Sequence, residues 1–237
     1  MSRSARPPSS ASSTSPRLRV VEVFASLQGE GPFTGSRSVF IRLAGCDLRC
    51  PFCDTVYSLD PRAGRPVDVE ELARVVEEER PSLVVVTGGE PLLQRRGVNE
   101  LARLLAGRGY RVQLETNGTL PAPEPGEPLY QVYHVVSPKD VPVAVEGARL
   151  HPSWVEASRS TGRVWFKFLA SSEEHVEAVA RYVEEKGIPW ERVYVMPLTR
   201  EGMSPEELLG LHRRVARLAL DHGFNFSPRL HLLLGLR

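Results

Sequence analysis

The stretch that decides the fold reads Gly45-Cys46-Asp47-Leu48-Arg49-Cys50-Pro51-Phe52-Cys53-Asp54-Thr55. It holds all three cysteines of the 237-residue chain, spaced C-x3-C-x2-C, and it follows the apolar run Val39–Leu43. An odd, tightly clustered set of cysteines is not a disulfide framework, and it indicates a reducing compartment. Because the apolar run reads as a buried strand, we expect the cysteines at its carboxyl end, where α/β folds place their chemistry.

Three cysteines at this spacing allow several kinds of site. A structural zinc site normally has four protein ligands, and no paired-histidine spacing supplies a fourth here. An electron-transfer iron–sulfur cluster would use a fourth cysteine, which the chain lacks. Three thiolates on a four-iron cluster leave one iron without a protein ligand, and open coordination is typical of a catalytic site. Three buried thiols without any ligand are the structural alternative.

The composition excludes other classes of protein. With 30 basic and 29 acidic residues the formal net charge is +1, which gives no reason to expect binding to nucleic acid or to an acidic membrane. No apolar run approaches the roughly 20 residues that cross a bilayer. A hydrophobic content of 41% is ordinary for a soluble globular protein. We therefore predict a cytoplasmic protein without nucleic-acid or membrane partners.

Two parts of the chain differ in composition. Residues 1–17 are rich in Ser, Pro and Arg and have almost nothing to bury, which predicts a disordered tail. This segment has no signal-peptide core, and its acid-free composition resembles a transit peptide without the amphipathic face. Residues 18–237 are predicted to form one domain.

From Leu18 onward, strand-like and helix-like segments alternate, which predicts an α/β fold. Helix starts are predicted at Asp68, Ser171 and Ser204, each followed by Glu three residues later. Leu120–Pro128 and Asp140–Gly162 are predicted to be loops or insertions. About six strand–helix steps fit a partial, TIM-like barrel of about six parallel strands, short of the eight of a closed barrel. The predicted strands are Val20–Leu27, Val39–Leu43, Leu83–Thr87, Arg111–Glu115, Val132–Val136, Val164–Leu169, Val193–Met196 and Leu230–Leu234.

A second motif, Thr87-Gly88-Gly89-Glu90-Pro91, ends one of these strands. Two glycines let the backbone approach a ligand closely, with amides free to bind a carboxylate, and Glu90 can accept from an ammonium group. Together with C-x3-C-x2-C and the aromatic Phe52 before the last cysteine, this motif resembles the radical S-adenosylmethionine (SAM) superfamily. The resemblance implies a [4Fe-4S] cluster whose open iron binds SAM, and reductive cleavage to a 5′-deoxyadenosyl radical.

Further motifs between Val20 and Lys139 resemble the 7-carboxy-7-deazaguanine synthase family. They are Val23–Pro32 with Gly35, Phe40–Cys46, Cys53–Thr55, Leu114–Thr119 and Ser137–Lys139. The resemblance implies a lyase that rearranges 6-carboxy-5,6,7,8-tetrahydropterin to 7-carboxy-7-deazaguanine with loss of ammonia, a step of queuosine biosynthesis. It also implies Mg²⁺, regeneration of SAM, a homodimer, and an electron donor such as flavodoxin or ferredoxin.

The same resemblance assigns site residues. Independently of it, Arg42 is a planar donor suited to a carboxylate, and the Gln28 amide suits a pterin edge. Glu115 and Asn117 are expected on the same rim without an assigned role, and no side chain is singled out as catalytic. The implied contacts are Leu27, Gln28, Gly29, Arg42, Thr87 and Arg237 to substrate; Phe52, Cys53, Asp54, Gly89, Glu90, Ser137, Pro138 and Lys139 to SAM; Cys46, Cys50 and Cys53 to the cluster; and Thr55 to Mg²⁺.

Two alternatives remain at this point. A radical SAM activating enzyme, which acts on a partner protein, uses the same cysteine spacing but gives no reason for Leu27–Gly29, Arg42 and Thr55 to occur together. A redox carrier or zinc-binding scaffold does not explain Thr87–Pro91. His212, His222 and His231 are expected to be structural, and Met196 is expected in the core.

Overall fold

A computed structural model describes residues 16–236 of the chain. These residues form a single nine-stranded sheet in the order β3-β1-β2-β4-β5-β6-β7-β8-β9. β1 runs antiparallel to β2 and β3, and the neighbouring pairs from β2 to β9 are parallel. The strands are β1 (Arg17–Leu27), β2 (Arg37–Leu43), β3 (Arg65–Asp68), β4 (Leu83–Gly88), β5 (Val112–Thr116), β6 (Tyr133–Val136), β7 (Val164–Ala170), β8 (Val193–Pro197) and β9 (Asn225–Phe226).

The predicted fold class is confirmed, because the sheet is parallel over most of its width and is not closed. Six parallel strands, β2 and β4 to β8, correspond to the predicted steps, and β9 adds two residues at the edge. The apolar run of β4 shows why such strands can be read from sequence. Val84 and Val85 point to opposite faces of the sheet and neither is exposed, as in a strand covered on both sides.

Helices follow most of the strands. The capping box predicted at Ser204 is present, with Ser204 and Glu207 bonding each other's backbone amides. The other two predicted starts differ in detail, because Asp68 pairs with Arg17 rather than capping, and Ser172 instead of Ser171 caps its helix. The helices are α1 (Val69–Glu79), α2 (Arg95–Gly107), α3 (Ser153–Thr161), α4 (Glu173–Lys186), α5 (Pro205–Asp221) and α6 (Leu230–Leu233).

The structure differs from the local predictions in three places. Leu230–Leu234 is not a strand but contains the short helix α6, since an apolar run alone does not distinguish the two. The predicted loop Asp140–Gly162 contains α3, which buries Trp154 completely. Strand β3 was not predicted because it holds Pro66, which a sheet tolerates here because β3 is an edge strand.

The ends of the chain bear on two further predictions. Residues 1–15 of the predicted tail and Arg237 lie outside the described residues. Arg17, predicted to belong to the tail, lies in β1, where its guanidinium pairs with Asp68 of β3. Within residues 16–236, no helix has the length and apolar character that crossing a membrane requires.

The open side of the sheet is bridged by loop segments instead of strand pairing. The amide of Gly31 donates to Ser227 Oγ at 2.8 Å, and the amide of Leu230 donates to the Gly29 carbonyl at 3.0 Å. The segment after β1 is thereby bound to the segment after β9. This contact joins two parts of the chain that are nearly 200 residues apart.

Candidate active site

The carboxyl ends of the parallel strands surround a cavity of about 290 Å³. Six neighbouring strands, or the residue directly after them, each contribute to its wall: Arg42, Thr87, Glu115, Ser137, Lys167 and Met196. Most of the residues predicted from the sequence meet here. Those that line the cavity are Leu27, Gln28, Gly29, Arg42, Cys46, Cys50, Phe52, Cys53, Asp54, Thr55, Thr87, Gly89, Asn117, Ser137 and Lys139, together with Glu115.

The cysteine loop after β2 is held by polar contacts to the end of β5. Asn117 Nδ2 donates to Asp47 Oδ1 at 2.8 Å, and the Thr119 hydroxyl donates to Asp47 Oδ2. Within the loop, the amide of Cys53 donates to the carbonyl of Cys50 at 3.2 Å. All three cysteines are free thiols, partly buried, and all three line the cavity.

The donor set fits an iron–sulfur cluster. Burial raises the pKa of the Cys46 thiol to about 11 and also raises that of Cys50, so iron would have to supply the positive charge that favours thiolates. Among residues 16–236, no three His, Cys, Asp or Glu side chains are already gathered in a metal-binding arrangement. The fit therefore rests on three partly exposed thiols that share one cavity, and they must turn toward one another to hold the cluster.

The Gly88-Gly89 turn packs against the cysteine loop backbone to backbone. A Cβ at Gly89 would lie 2.0 Å from the Gly45 carbonyl oxygen, so only glycine fits. The amides of Gly89 and Glu90 donate to the carbonyls of Leu43 and Gly45, at 3.1 and 2.7 Å. The prediction that these amides are free for a carboxylate is therefore wrong: they hold the cysteine loop in place.

Glu90 joins the ends of two neighbouring strands. Its carboxylate is fully buried, does not line the cavity, and accepts from the Asn117 amide at 2.8 Å, the Leu92 amide at 3.0 Å and the Thr116 hydroxyl. Burial raises its pKa to about 7, against the opposing effect of these donors. Glu90 thus ties the end of β4 to the end of β5, and its predicted contact to SAM stays a prediction.

Only two residues of the predicted segment Ser137-Pro138-Lys139 line the cavity. Ser137 and Lys139 line the cavity, whereas Pro138 is buried behind them. Lys139 Nζ donates to the Ser137 carbonyl at 2.6 Å and to its hydroxyl. Burial lowers the pKa of Lys139 to about 8, so its ammonium group holds its proton less firmly than an exposed lysine.

The wall opposite the cysteines carries a cluster of buried charges. Lys167 Nζ lies 2.6 Å from Glu30 and 2.9 Å from Glu115, and Gln28 Nε2 donates to Glu115 at 3.4 Å. Burial by itself would raise the pKa of Glu30, but Lys167 and Arg229 lower it well below its usual range. For Lys167, burial would lower the pKa, and its two carboxylate partners raise it instead. Glu30 and Lys167 remain charged because each has an opposite charge in contact, whereas burial raises the pKa of Glu115 despite its contact with Lys167.

Arg229 connects this charged wall to the cysteine loop. Its guanidinium pairs with Glu30 at 3.1 Å and with Asp54, and it also bonds the hydroxyl of Thr199. His212 Nε2 accepts from the Arg229 amide at 3.1 Å, which confirms the predicted structural role of His212. The segment after β9 is thereby attached to the residue that follows Cys53.

His231 lies in the helix α6 and not in the predicted strand, and it lines the cavity, whereas its expected structural role stays a prediction. A Cβ at Gly29 would lie 2.0 Å from His231 Nδ1, which shows how closely the imidazole approaches that backbone. Burial lowers the pKa of His231, against the attraction of Glu30. A side chain at position 29 would therefore displace the imidazole of His231.

Contacts within the protein hold the side chain of Arg42 in place. Its Nε donates to Glu22 at 2.7 Å, and its guanidinium lies 5.8 Å from the Phe24 ring centre and 5.9 Å from that of Tyr57. The side chain is largely buried but still lines the cavity. An oriented guanidinium at a cavity wall suits a carboxylate ligand.

Comparisons with known proteins agree with this site. The model of the Radical SAM superfamily matches residues 40–215. The chain is 63% identical over 236 residues to 7-carboxy-7-deazaguanine synthase from Hyperthermus butylicus, with 100% of both chains covered. It is 44% identical over 223 residues to the enzyme of that name from Pyrobaculum aerophilum, covering 93% of this chain and 96% of the other. The chain belongs to the 7-carboxy-7-deazaguanine synthase family of the radical SAM superfamily.

A solved structure supports the fold of this family member. The crystal structure of QueE from Escherichia coli matches with a TM-score of 0.67 and 22% identity, over 91% of this chain and 95% of the other. Membership of the radical SAM superfamily implies a [4Fe-4S] cluster and SAM, which the three thiols and the adjoining cavity can accept.

Sequence reasoning missed the charged wall of this family member. Glu30, Lys167 and Arg229 are its ionic centre, and none of them was predicted as a site residue. Lys167 carried a usable signal, because it is one of three lysines and interrupts the buried run Val164–Ala170. A lysine in the middle of a buried strand needs a partner, and that need points to a site.

Proposed function

We propose that this chain converts 6-carboxy-5,6,7,8-tetrahydropterin to 7-carboxy-7-deazaguanine with loss of ammonia, as a radical SAM lyase. The observation that carries the proposal is the meeting of the cysteine loop, the Gly88-Gly89 turn and Arg42 in one cavity. The two curated relatives described above bear the name of this activity and match the chain over nearly its whole length. The reaction needs no net oxidant, because ammonia is the group eliminated.

Cluster-bound SAM, when present, supplies the radical that removes hydrogen from the substrate. In this proposal Cys46, Cys50 and Cys53 hold the cluster, and the wall formed by Gly89, Ser137 and Lys139 receives the rest of SAM. Phe52 and Asp54 adjoin the same space. The protein residues bind, orient and keep water from the reacting atoms, which limits side reactions.

Arg42 and the charged wall supply complementary contacts for the substrate. The guanidinium of Arg42, held by Glu22, can bind the substrate carboxylate through two parallel hydrogen bonds. The Gln28 amide and the carboxylate of Glu115 can receive the donors and acceptors of the pterin edge. Thr87 and Leu27 complete the wall between these groups.

We place Mg²⁺ beside the cysteine loop. Thr55 Oγ1 lines the cavity 3.7 Å from Cys53 Sγ, and the Asp54 carboxylate is largely exposed beside it. Magnesium takes few protein oxygens and completes its shell with water and substrate, so a single hydroxyl suffices as an anchor.

The enzyme also needs a domain organisation, an oligomeric state, an electron donor and a location in the cell. We infer one radical SAM domain over residues 18–237, a homodimer, and an electron donor such as flavodoxin or ferredoxin. We also infer a reducing, cytoplasmic location, which the three unpaired cysteines favour.

The experiment that tests the function is a product assay. Anaerobically reconstituted protein is incubated with the carboxytetrahydropterin, SAM, Mg²⁺ and a reductant, and the products are identified by chromatography and mass spectrometry. We expect 7-carboxy-7-deazaguanine and ammonia in equal amounts. Release of 5′-deoxyadenosine without that product would instead favour an enzyme that activates a partner protein.

The assignment of Arg42 has its own test. Arg42→Ala is expected to raise the KM for the substrate about 10- to 100-fold through loss of charge-assisted hydrogen bonds, while iron content stays at the wild-type level. Arg37→Ala, an exposed arginine at the other end of β2, is the matched control and should leave KM unchanged. Equal losses of iron and of substrate binding in Arg42→Ala would show that Arg42 is structural.

A further inference from the structure

A small apolar cluster, separate from the main core, covers one side of the cysteine loop. It consists of Leu48 from the loop and Val145 and Ala148 from the segment after β6, each at most 8% exposed. Cys46, Cys50 and Phe52 pack against it, and Cys53 does not. The segment 140–150 therefore covers two of the three cysteines. We call it the cap.

One carboxylate joins the two ends of the cap and links the cap to α4, while Val141 and Leu150 of the cap also pack on the main core. Asp140 Oδ2 accepts from the Leu150 amide at 3.2 Å, which joins the two ends of the cap. The same oxygen accepts from the Tyr182 hydroxyl of α4 at 2.9 Å. A further bond, from the Val145 amide to the Lys139 carbonyl at 2.7 Å, places the apolar residues over the loop.

Tyr182 is well placed to anchor the cap. Its ring packs edge-on against Phe168 of β7, with ring centres 5.9 Å apart, so the hydroxyl is presented from a fixed position. Burial and the neighbouring Asp140 raise the pKa of Tyr182, so the hydroxyl remains a donor at any physiological pH. The other oxygen of Asp140 is buried and has no hydrogen-bond partner among the described residues, so both attachments of the carboxylate depend on Oδ2.

We propose that Asp140 and Tyr182 are positioning residues that hold the cap over Cys46 and Cys50 and so restrict solvent access to that side of the cluster. Exposure and the apolar shell of an iron–sulfur cluster affect its reduction potential and its reaction with oxidants. The inference depends on the cysteine loop and on superfamily membership, and it is independent of which substrate the enzyme takes.

The first test uses the cluster-free protein under anaerobic conditions. Each thiol is alkylated with iodoacetamide at fixed pH, and the rate at each cysteine is measured by peptide mass spectrometry. We expect Asp140→Ala and Tyr182→Phe to raise the rates at Cys46 and Cys50 about 3- to 10-fold, as for loss of one buried hydrogen bond, with Cys53 unchanged. Asp140→Asn should restore near wild-type rates, because its carbonyl oxygen can still accept both bonds.

The second test uses the reconstituted protein. Tyr182→Phe should raise the reduction potential of the cluster, because water stabilises the more negative reduced state, and should shorten the lifetime of its absorbance in air. Tyr194→Phe, a tyrosine of β8 outside the cavity wall, is the matched control.

Two results would overturn the proposal. Unchanged alkylation rates at Cys46 and Cys50 in both Asp140→Ala and Tyr182→Phe would show that the cap does not restrict access. Equal acceleration at all three cysteines, with a lower Tm, would show that these residues only stabilise the fold.

Discussion

The two walls of the cavity are built in opposite ways. The cysteine wall comes from one short stretch, Gly45–Thr55, and is positioned by backbone contacts to the Gly88-Gly89 turn. The charged wall is assembled from distant parts of the chain: Glu30 contacts Lys167 across 137 positions and Arg229 across 199. The three cysteines are close together in the sequence before folding, whereas the residues of the charged wall meet only once the sheet has formed.

The two walls also differ in energetic terms. The cysteine loop is held by close backbone packing and by polar contacts to the exposed carboxylates of Asp47 and Asp54, so the loss of such a contact leaves no buried carboxylate unpaired. In the charged wall, Lys167 is 7% exposed and its two carboxylate partners 16%, so removing one partner leaves a buried charge without compensation. We therefore expect variants of the cysteine wall to affect function mainly and variants of the charged wall to affect stability as well.

The largest expected effect is at the cysteine wall. Cys50→Ala should abolish cluster binding and activity, because two thiolates cannot hold a four-iron cluster that already lacks a fourth protein ligand. Iron content and the visible absorbance after anaerobic reconstitution measure this. The unfolding midpoint of the cluster-free variant should stay near the wild-type value, which is the control for folding. Iron retained at the wild-type level would contradict the assignment of the cluster ligands.

The next effect is at the charged wall. Lys167→Met should lower the free energy of unfolding of the cluster-free protein by about 3 to 5 kcal/mol, because Glu30 and Glu115 would lose their buried partner. Urea denaturation followed by circular dichroism measures this. The control is Lys186→Met, whose pair with Glu185 is exposed and should contribute less than about 1 kcal/mol.

A double variant decides whether charge is the cause. Lys167→Met combined with Glu115→Gln should recover part of the lost stability, since one uncompensated carboxylate is removed. If the double variant is as unstable as the sum of the two single variants, the loss comes from packing and the contrast between the walls fails.

A third prediction concerns the backbone contact of the cysteine wall. Gly89→Ala should reduce turnover about 100-fold, because its Cβ would meet the Gly45 carbonyl and displace the cysteine loop by a fraction of an ångström or more. Steady-state kinetics and SAM binding by calorimetry measure the effect. Gly107→Ala, at the end of α2 with open space around it, is the control and should have no effect on turnover. Wild-type kinetics in Gly89→Ala would mean that the loop position tolerates such a shift.

The smallest effect is expected at an ion pair outside the cavity, which serves as a reference for the charged wall. Hydrogen bonds from Arg95 lower the pKa of Glu127 to about 2, below the value of about 4.5 expected in the unfolded chain. A carboxylate with a lowered pKa contributes its stability above pH 4.5 and loses it as the pH falls towards 2. Glu127→Gln should therefore be about 1 to 2 kcal/mol less stable than wild type at pH 7, after allowance for its partial exposure.

The dependence of the free energy of unfolding on pH tests the contribution of the Arg95–Glu127 ion pair. Free energies of unfolding for wild type and Glu127→Gln are taken at intervals from pH 7 down to pH 2. Their difference should shrink below pH 4.5, where the unfolded chain takes up a proton at Glu127, and should be smallest near pH 2. A constant difference across that range would show that the contact acts through shape and not through charge.

Whether a feature could be predicted from the sequence depends on how far apart along the chain its residues lie. The parallel strands β2 and β4 to β8, the capping box at Ser204 and the cysteine motif depend on residues within a few positions of each other, and all were predicted. The contact of Glu90 with SAM stays a prediction, but the sequence did not show that its carboxylate is buried and bonded by Thr116 and Asn117 at the end of β5. His231 was assigned to a strand, and the close packing of α6 on Gly29 places it in the cavity wall.

The sequence by itself determined the α/β fold, the open cysteine set and the rim on which the site lies, because hydrophobic periodicity and motif spacing are local properties of the chain. Only the tertiary structure decided which of the rim residues face the cavity, and it alone brought Glu30, Lys167 and Arg229 together. The physical reason is that a buried charge is stable only beside its counter-charge, and the pairing of residues nearly 200 positions apart is fixed by the sheet order and not by any local pattern.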